Sequence, residues 1–376
     1  VEKGHKVTML TSTASLTSED LAEANGLFIK KYAVNGINVL ALAIPYRQQM
    51  GMFKRCLAFC AFSFLASVVV FFLKFDVVYA TSTPLTIGIP ALAARWFRRK
   101  KFVFEVRDQW PISAIEVGAI KNRFLIGILS WLERLVYKNA SAIVALSDGM
   151  AEGVRQVAGQ RKLIHVVPNC AALDFFRPDI DGSAVRKRKG WEDKLVFLQA
   201  GSMGISYGLD FVIDAAGKLK EHRDIVFVLI GQGSQKPGLE RKVQELGLTN
   251  VEILPPVPKY QIPEFFAAAD VGLVIISLKI MEKHASLNKF YDGLAAGKPL
   301  LLNYSGWQRK ILEENKAGFG CELCNLDEFV KKVLYLNSHR EDVLEMGRNA
   351  RRVAEEKFDR DKLAAQALSV LEAVLN

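Results

Sequence analysis

Apolar runs of six to eight residues, rich in Val, Ile, Leu and Phe, alternate with helix-length stretches along almost the whole chain. Parallel strands need a crossover between them, and a helix packed on the sheet is the compact crossover, so the alternation predicts α/β units with parallel sheets. In the first half the strand candidates are 6–11 (KVTMLT), 37–42 (INVLAL), 76–81 (DVVYAT), 101–106 (KFVFEV), 141–147 (SAIVALS) and 163–169 (LIHVVPN). A second series covers 194–201, 224–231, 250–256, 269–276 and 298–303, and two charged amphipathic helices follow. Between the series, residues 174–194 carry Pro, Gly and dense charge without an apolar period and read as an interdomain linker. The expected organisation is two doubly wound, Rossmann-like α/β domains facing a cleft, over 1–178 and 194–357. The linker covers 179–193, and a last helix over 358–376 returns to the first domain. In such sheets ligands lie beyond the carboxyl ends of the strands.

A chain of 376 residues suffices for two cores, and 50% hydrophobic with 24% charged residues excludes a disordered protein. A net charge of +10 points to a polyanionic partner: a phosphorylated ligand, anionic lipid headgroups or nucleic acid. Nucleic acid is set aside, because the cations are spread over helix ends without interleaved aromatics. Five cysteines, two of them inside an apolar run, make no disulfide framework and fit a reducing cytoplasm. Cys321 and Cys324 have a metal-like spacing but no second pair, so they read as packing and no metal site is expected. His5, His165, His222 and His339 are isolated and read as surface or turn residues. The start shows no leader pattern and no methionine, and is expected to fall partway through a structural unit.

The run CLAFCAFSFLASVVVFFL (56–73) barely reaches spanning length and leads within a few residues into a strand. A true span would pull that strand from its domain, so the run is expected to be a helix buried on the sheet. A second reading leaves one face exposed, with RWFRRKK (95–101) nearby, for docking on an anionic bilayer.

The strand at 194–201 ends in Gly201-Ser202-Met203-Gly204, ahead of a helix beginning near 208. Strand, glycine turn and helix N-terminus present backbone N–H groups suited to phosphate. The stretch HASLNKFYDGLAAGKPLLL (284–302) supplies a second helix end. Ser286 is expected to cap it, Gly297 to close it and Pro299 to prevent its continuation. Lys289 and Asp292, three residues apart, share one face. Lysine suits a diphosphate, and a carboxylate suits vicinal hydroxyls such as those of a ribose. The alternative is an ordinary exposed ion pair.

These residues resemble the donor site of glycosyltransferase family 4, with its GT-B fold, and in particular the bacterial branch that builds surface polysaccharides. The family motif E-A-M-A-A-G-x-P matches 292-DGLAAGKP-299, with Asp292 in place of the ribose-binding glutamate. Further matches include 83-TPLTIGIPALAARW-96, 102-FVFEVRDQWP-111, 166-VVPNCAALDFFRP-178 and most of 230–275. The resemblance implies nucleotide-sugar contacts from Gly201, Ser202, Gly204, Tyr207, Gly231, Val257, His284, Asn288, Lys289 and Asp292. His284 replaces the first glutamate of the family's E-x7-E pair. Ser202 and Tyr207 stand where its diphosphate clamp carries cations, which leaves Lys289 as the main neutraliser. The resemblance further implies a strand and a glycine-rich loop ahead of residue 1.

By the same resemblance the chain is a retaining transferase of hexosyl or N-acetylaminosugar units. The donor is a nucleotide-sugar co-substrate, with UDP as nucleotide, and neither metal nor cofactor is needed. The acceptor is a lipid-linked saccharide for O-antigen, lipopolysaccharide or capsule. The place of work is cytoplasmic, peripheral on the anionic inner face of the plasma membrane. Asp108 is the acid/base candidate, with Arg107 beside it where many relatives carry histidine; a carboxylate merely capping the turn before Pro111 is the alternative role. Asn169 reads as fixing the loop ahead of the linker. A nucleotide-sugar epimerase of the same fold, or a binding-only homologue, are the competing functions.

Overall fold

The computed structural model describes residues 1–17, 21, 23–46, 50–118 and 120–376. In the first domain the strands are β1 (Thr8–Ser12), β2 (Ile29–Val34), β3 (Ile37–Leu42), β4 (Val77–Thr81), β5 (Lys101–Val106), β6 (Ala142–Ala145) and β7 (Ile164–Val166). Its helices are α1 (Met52–Phe72), α2 (Gly88–Arg98), α3 (Ile112–Glu116), α4 (Arg123–Asn139) and α5 (Asp148–Ala158). The strands form two sheets, β1-β3-β2 and an all-parallel β4-β5-β6-β7. β2 was not among the sequence candidates. It pairs antiparallel with β3 through Asn35 and Gly36, both at positive φ, the backbone a two-residue hairpin needs.

The second domain runs α6 (Ser183–Lys189), β8 (Leu195–Ala200), α7 (Asp210–Lys218), β9 (Ile225–Ile230), α8 (Lys236–Glu245) and β10 (Val251–Leu254). It continues with α9 (Ile262–Ala268), β11 (Val271–Val274), α10 (Lys279–His284), α11 (Asn288–Ala295), β12 (Leu300–Leu302), α12 (Trp307–Glu314) and β13 (Gly318–Gly320). The helices α13 (Leu326–Ser338), α14 (Arg340–Lys357) and α15 (Arg360–Leu375) close the chain. One six-stranded parallel sheet, β10-β9-β8-β11-β12-β13, carries this domain. Every residue of β9 (IVFVLI) is buried, as befits a strand covered by helices on both faces. The strand order reverses between β8 and β11, and there a doubly wound sheet opens a crevice at its carboxyl edge.

Residues 183–194 are not a loose linker. Arg186 within α6 bonds Asp270 at 2.6 Å and the Ala268 carbonyl at 2.9 Å. Trp191 is wholly buried and donates its indole N–H to Glu252 at 2.6 Å. The charge density that suggested a linker is one solvated face of a short helix docked on the second domain. α15 lies on the first-domain sheet, burying Leu363, Val370 and Val374 against Val103, Ala142 and Val144.

The apolar run departs from its expected burial. Among the described side chains of α1 only Ser63, Ala66 and Val70 are buried, and the phenylalanine-rich outer face is open. The sequence supplies apolar residues all round this helix, whereas the domain offers only one narrow seam to receive them.

Candidate active site

The reversal between β8 and β11 fixes where the second-domain loops go. Gly201 follows β8 at φ +137, a conformation that L side chains rarely adopt. The loop is pinned from behind. Met203 is fully buried, its N–H donates to the Gln232 carbonyl at 2.9 Å, and its carbonyl accepts from Gln235 at 3.0 Å. Gly231 lies directly under Gly201, where a Cβ would stand 1.9 Å from the Gly201 carbonyl oxygen. Residues 205–207 then make a single 3-10 turn that brings Tyr207 forward.

α11 forms the facing wall. Leu287 occupies its N-cap position without a side-chain cap. Ser286, expected in that role, sits one residue too far out, and its hydroxyl bonds Tyr291 Oη at 2.6 Å. At the other end Gly297 closes the helix at φ +66, as expected. Lys289 and Asp292 do not form the exposed ion pair that local spacing alone allows. Lys289 is 9% exposed, and its Nζ is buried without a hydrogen-bond partner. That nitrogen sits 4.1 Å from the Tyr207 ring centroid, a cation–π contact. Burial pushes the Lys289 ammonium down to about 7. Burial likewise pushes the Asp292 carboxyl up to about 7, with the Lys259 charge pulling the other way. Lys289 is thus held dry without a hydrogen-bond partner that would offset its desolvation, while Asp292 is partly buried beside it.

The first domain supplies the opposite wall from the carboxyl ends of its strands. Thr83, just after β4, donates its hydroxyl to Asp108 Oδ2 at 2.8 Å and fixes that carboxylate. Arg107 donates its backbone N–H to Ser82 Oγ at 3.0 Å, and its guanidinium lies 3.8 Å from Glu105. Burial and the Asp108 charge together raise the Tyr207 hydroxyl. Asn169 crosses the cleft: its amide donates to the Ser286 carbonyl at 2.7 Å and to Asn288 Oδ1 at 3.3 Å. It therefore ties the two walls together, where the sequence had suggested only a local loop role. A second tie joins Ser147 Oγ to the Lys283 carbonyl at 3.2 Å. There Gly149 packs so close that a Cβ would stand 2.3 Å from that oxygen.

These walls enclose a cavity of about 380 Å³, within the range of small-molecule sites. Of the sequence candidates, Arg107, Asp108, Gly201, Ser202, Tyr207, Asn288, Lys289 and Asp292 line it. Gly204, Gly231, Val257 and His284 do not. Gly231 supports Gly201 from below, and Val257 packs against the second-domain core. His284, last in α10, is half-buried with Nδ1 unpartnered, and burial and Lys283 hold its imidazole below the ordinary value. The lining also includes Thr83, Leu146, Asn169, Ala200, Ser286 and Leu287. Thr83 and Leu146 follow strands that the sequence located, so the rule that ligands sit beyond strand carboxyl ends was the signal for them. Among the described residues no cluster of three or more His, Cys, Asp or Glu is placed to hold a metal ion.

Two protein families match this chain. Residues 1–170 match the glycosyl transferase 4-like domain, and residues 183–353 match glycosyl transferases group 1. Alpha-D-kanosaminyltransferase of Streptomyces kanamyceticus is 29% identical over 125 residues, 32% of each chain. A protein of Escherichia coli (strain K12) named for colanic acid biosynthesis glycosyl transfer is 27% identical over 146 residues, 38% of this chain and 36% of that one. The matches thus span about a third of the length of these two relatives. Among solved structures, Anabaena HepE in complex with UDP superposes with a TM-score of 0.71 at 16% identity, covering 98% of this chain and 100% of that one. At that identity the likeness speaks for the fold.

Proposed function

The chain belongs to the glycosyltransferases of GT-B fold, and from that premise we propose that it moves a sugar from a UDP-sugar to a lipid-linked saccharide with retention of anomeric configuration. The observation that carries the reading is Lys289, a buried basic group whose Nζ lacks any hydrogen-bond partner at the point where the sheet order reverses. A dry, unpaired ammonium beside a glycine turn and a helix N-terminus is a site prepared for an anion.

In this reading the diphosphate rests on the loop from Gly201 and on the first turn of α11, with Lys289 as counter-charge. Asp292, one turn further in, accepts the ribose hydroxyls. The reaction breaks the bond between the anomeric carbon and the diphosphate oxygen, and the leaving group gathers negative charge. Lys289 and the backbone dipoles meet that charge without reorganising. Asp108, held by Thr83, faces the donor from the first domain. It takes the proton of an acceptor hydroxyl that attacks on the same face from which the diphosphate leaves, so the new glycosidic bond keeps the configuration of the old one.

The surface-polysaccharide role, an O-antigen- or capsule-type acceptor at the inner face of the plasma membrane, draws support from the name of the Escherichia coli relative. It also draws support from the basic, apolar first domain. The epimerase alternative finds no support among the matches. Incubation with labelled UDP-sugars and lipid-linked saccharides tests the proposal. Label entering lipid is the expected result. An isomerised free sugar, or saturable binding without turnover, would contradict it.

A further inference from the structure

α1 is 21 residues long, about 31 Å at 1.5 Å per residue, yet only 17% of its apolar window is buried. Leu57, Phe64 and Phe71 follow one another at intervals of seven, two helical turns, and so mark one face. All three are exposed, Phe64 at 68%, and Phe72 beside them reaches 84%. The end of α2 extends the same surface. Phe97 is 68% exposed with its ring 5.6 Å from that of Phe71, and Trp96 is half exposed. Cations frame this face. Residues 51–104 contain eight Lys and Arg against one carboxylate, Asp76, and Lys54, Lys74, Arg95 and Arg99 are exposed.

α1 is also fastened to its domain. Ser63, in mid-helix, donates its hydroxyl to the Thr86 carbonyl at 2.9 Å. Arg98 bonds the carbonyls of Val70 and Phe71 at 2.9 Å and of Leu73 at 2.5 Å, satisfying the C-terminal end. The chain enters α1 from β3 and leaves it into β4 at Val77, both inside the domain. Crossing a bilayer would break these bonds and draw β4 from its pairing with β5.

We infer that the outer face of α1, with Trp96 and Phe97, docks on an anionic lipid leaflet, the helix lying in the membrane plane with its phenylalanines immersed. A second copy of this chain is the poorer occupant, because a two-fold contact would set the cationic frame against itself. An anionic leaflet receives the apolar face and the frame together. Docking places the first domain, which supplies one wall of the cleft through Thr83, Arg107 and Asp108, at the lipid surface where a lipid-linked acceptor resides. That consequence for a lipid-linked acceptor rests on the function proposed above, whereas the docking does not.

The test is sedimentation of the full chain with phosphatidylcholine vesicles, with and without phosphatidylglycerol, at low salt and at about 0.5 M salt. Pelleting is expected with the anionic vesicles alone, and salt should release it. Phe64→Glu with Phe71→Glu should weaken it at least about tenfold, and Arg95→Gln or Arg99→Gln about fivefold each. UDP binding and melting temperature should be unchanged in these variants. Those two readouts separate failure of docking from failure of the proposed activity. Equal binding to neutral vesicles, binding that resists salt and alkaline wash, or indifference to the Phe64 and Phe71 changes would overturn the inference. So would self-association that the same changes abolish without any lipid.

Discussion

The two domains share an architecture but dispose of apolar surface in opposite ways. In the second, one continuous six-stranded sheet is sealed between helices, and its exposed large hydrophobics, such as Ile205, Leu246 and Leu344, are scattered. In the first, the strands fall into two sheets, and a 21-residue apolar helix leaves most of its circumference uncovered. The difference teaches where rigidity is needed. Holding a desolvated lysine without a partner requires walls that do not yield, and the sealed domain provides them around Lys289 and Asp292. The opposing wall, with Arg107 and Asp108, stands on the domain whose apolar helix leaves one face open.

The most severe way to break this contrast is to compare two phenylalanines. Phe227 is fully buried and stacked on Phe197 with centroids 5.2 Å apart, so Phe227→Ala should cost about 3–5 kcal/mol. Phe64→Ala, on the open face of α1, should stay within about 0.5 kcal/mol. Denaturant unfolding reads both, and equal losses would erase the distinction between the domains.

A pH series sharpens it next. The Asp292 carboxyl is raised to about 7 in the fold. Between its ordinary value and 7 the folded protein keeps a proton that the unfolded chain has lost, so stability falls as pH rises towards 7. The Lys289 ammonium is lowered to about 7. Above 7 the unfolded chain keeps a proton that the folded protein has lost, so stability climbs again. Melting temperature without ligand should therefore dip near neutrality, and the dip should vanish in the Lys289→Ala, Asp292→Ala double variant. A monotonic curve shared by both proteins would mean that these groups are not desolvated.

Smaller effects separate the two roles. Lys289→Ala should weaken UDP by about 1.5–3 kcal/mol, the scale of a charge-assisted bond, while sparing uridine. Asp292→Ala should cost about 1–3 kcal/mol with uridine and UDP alike, since both carry the ribose. Calorimetry distinguishes the patterns, and equal losses of both ligands in the lysine variant would reduce Lys289 to a structural part.

Candidates such as those at β8 and β9 met real strands because buried parallel strands are written as unbroken apolar runs. β2 escaped because IKKYAV mixes charge into its pattern, although Asn35-Gly36 beside it is a strong hairpin signal. β13, three residues reading GFG, is too short to carry any period. The site was legible as residue types but not as environments. Nothing local says that Lys289 is dry, because the ring covering it belongs to Tyr207, far away in sequence. Nor does the run at 56–73 reveal which face finds a neighbour, since it is apolar all round. The shift of the α11 cap from Ser286 to Leu287 likewise depends on Tyr291 claiming the serine hydroxyl.

The central claim is that Lys289 is a desolvated amine, without a hydrogen-bond partner, kept for the donor diphosphate. Its most direct test is titration calorimetry of UDP at pH 8 in two buffers that differ in ionisation enthalpy. With its ammonium near 7 in the unliganded protein, Lys289 is mostly neutral at that pH, and a diphosphate beside it should restore its charge. The account predicts uptake of close to one proton per UDP bound, and none in Lys289→Ala. Binding heats that are identical in the two buffers for the unmodified chain would contradict it.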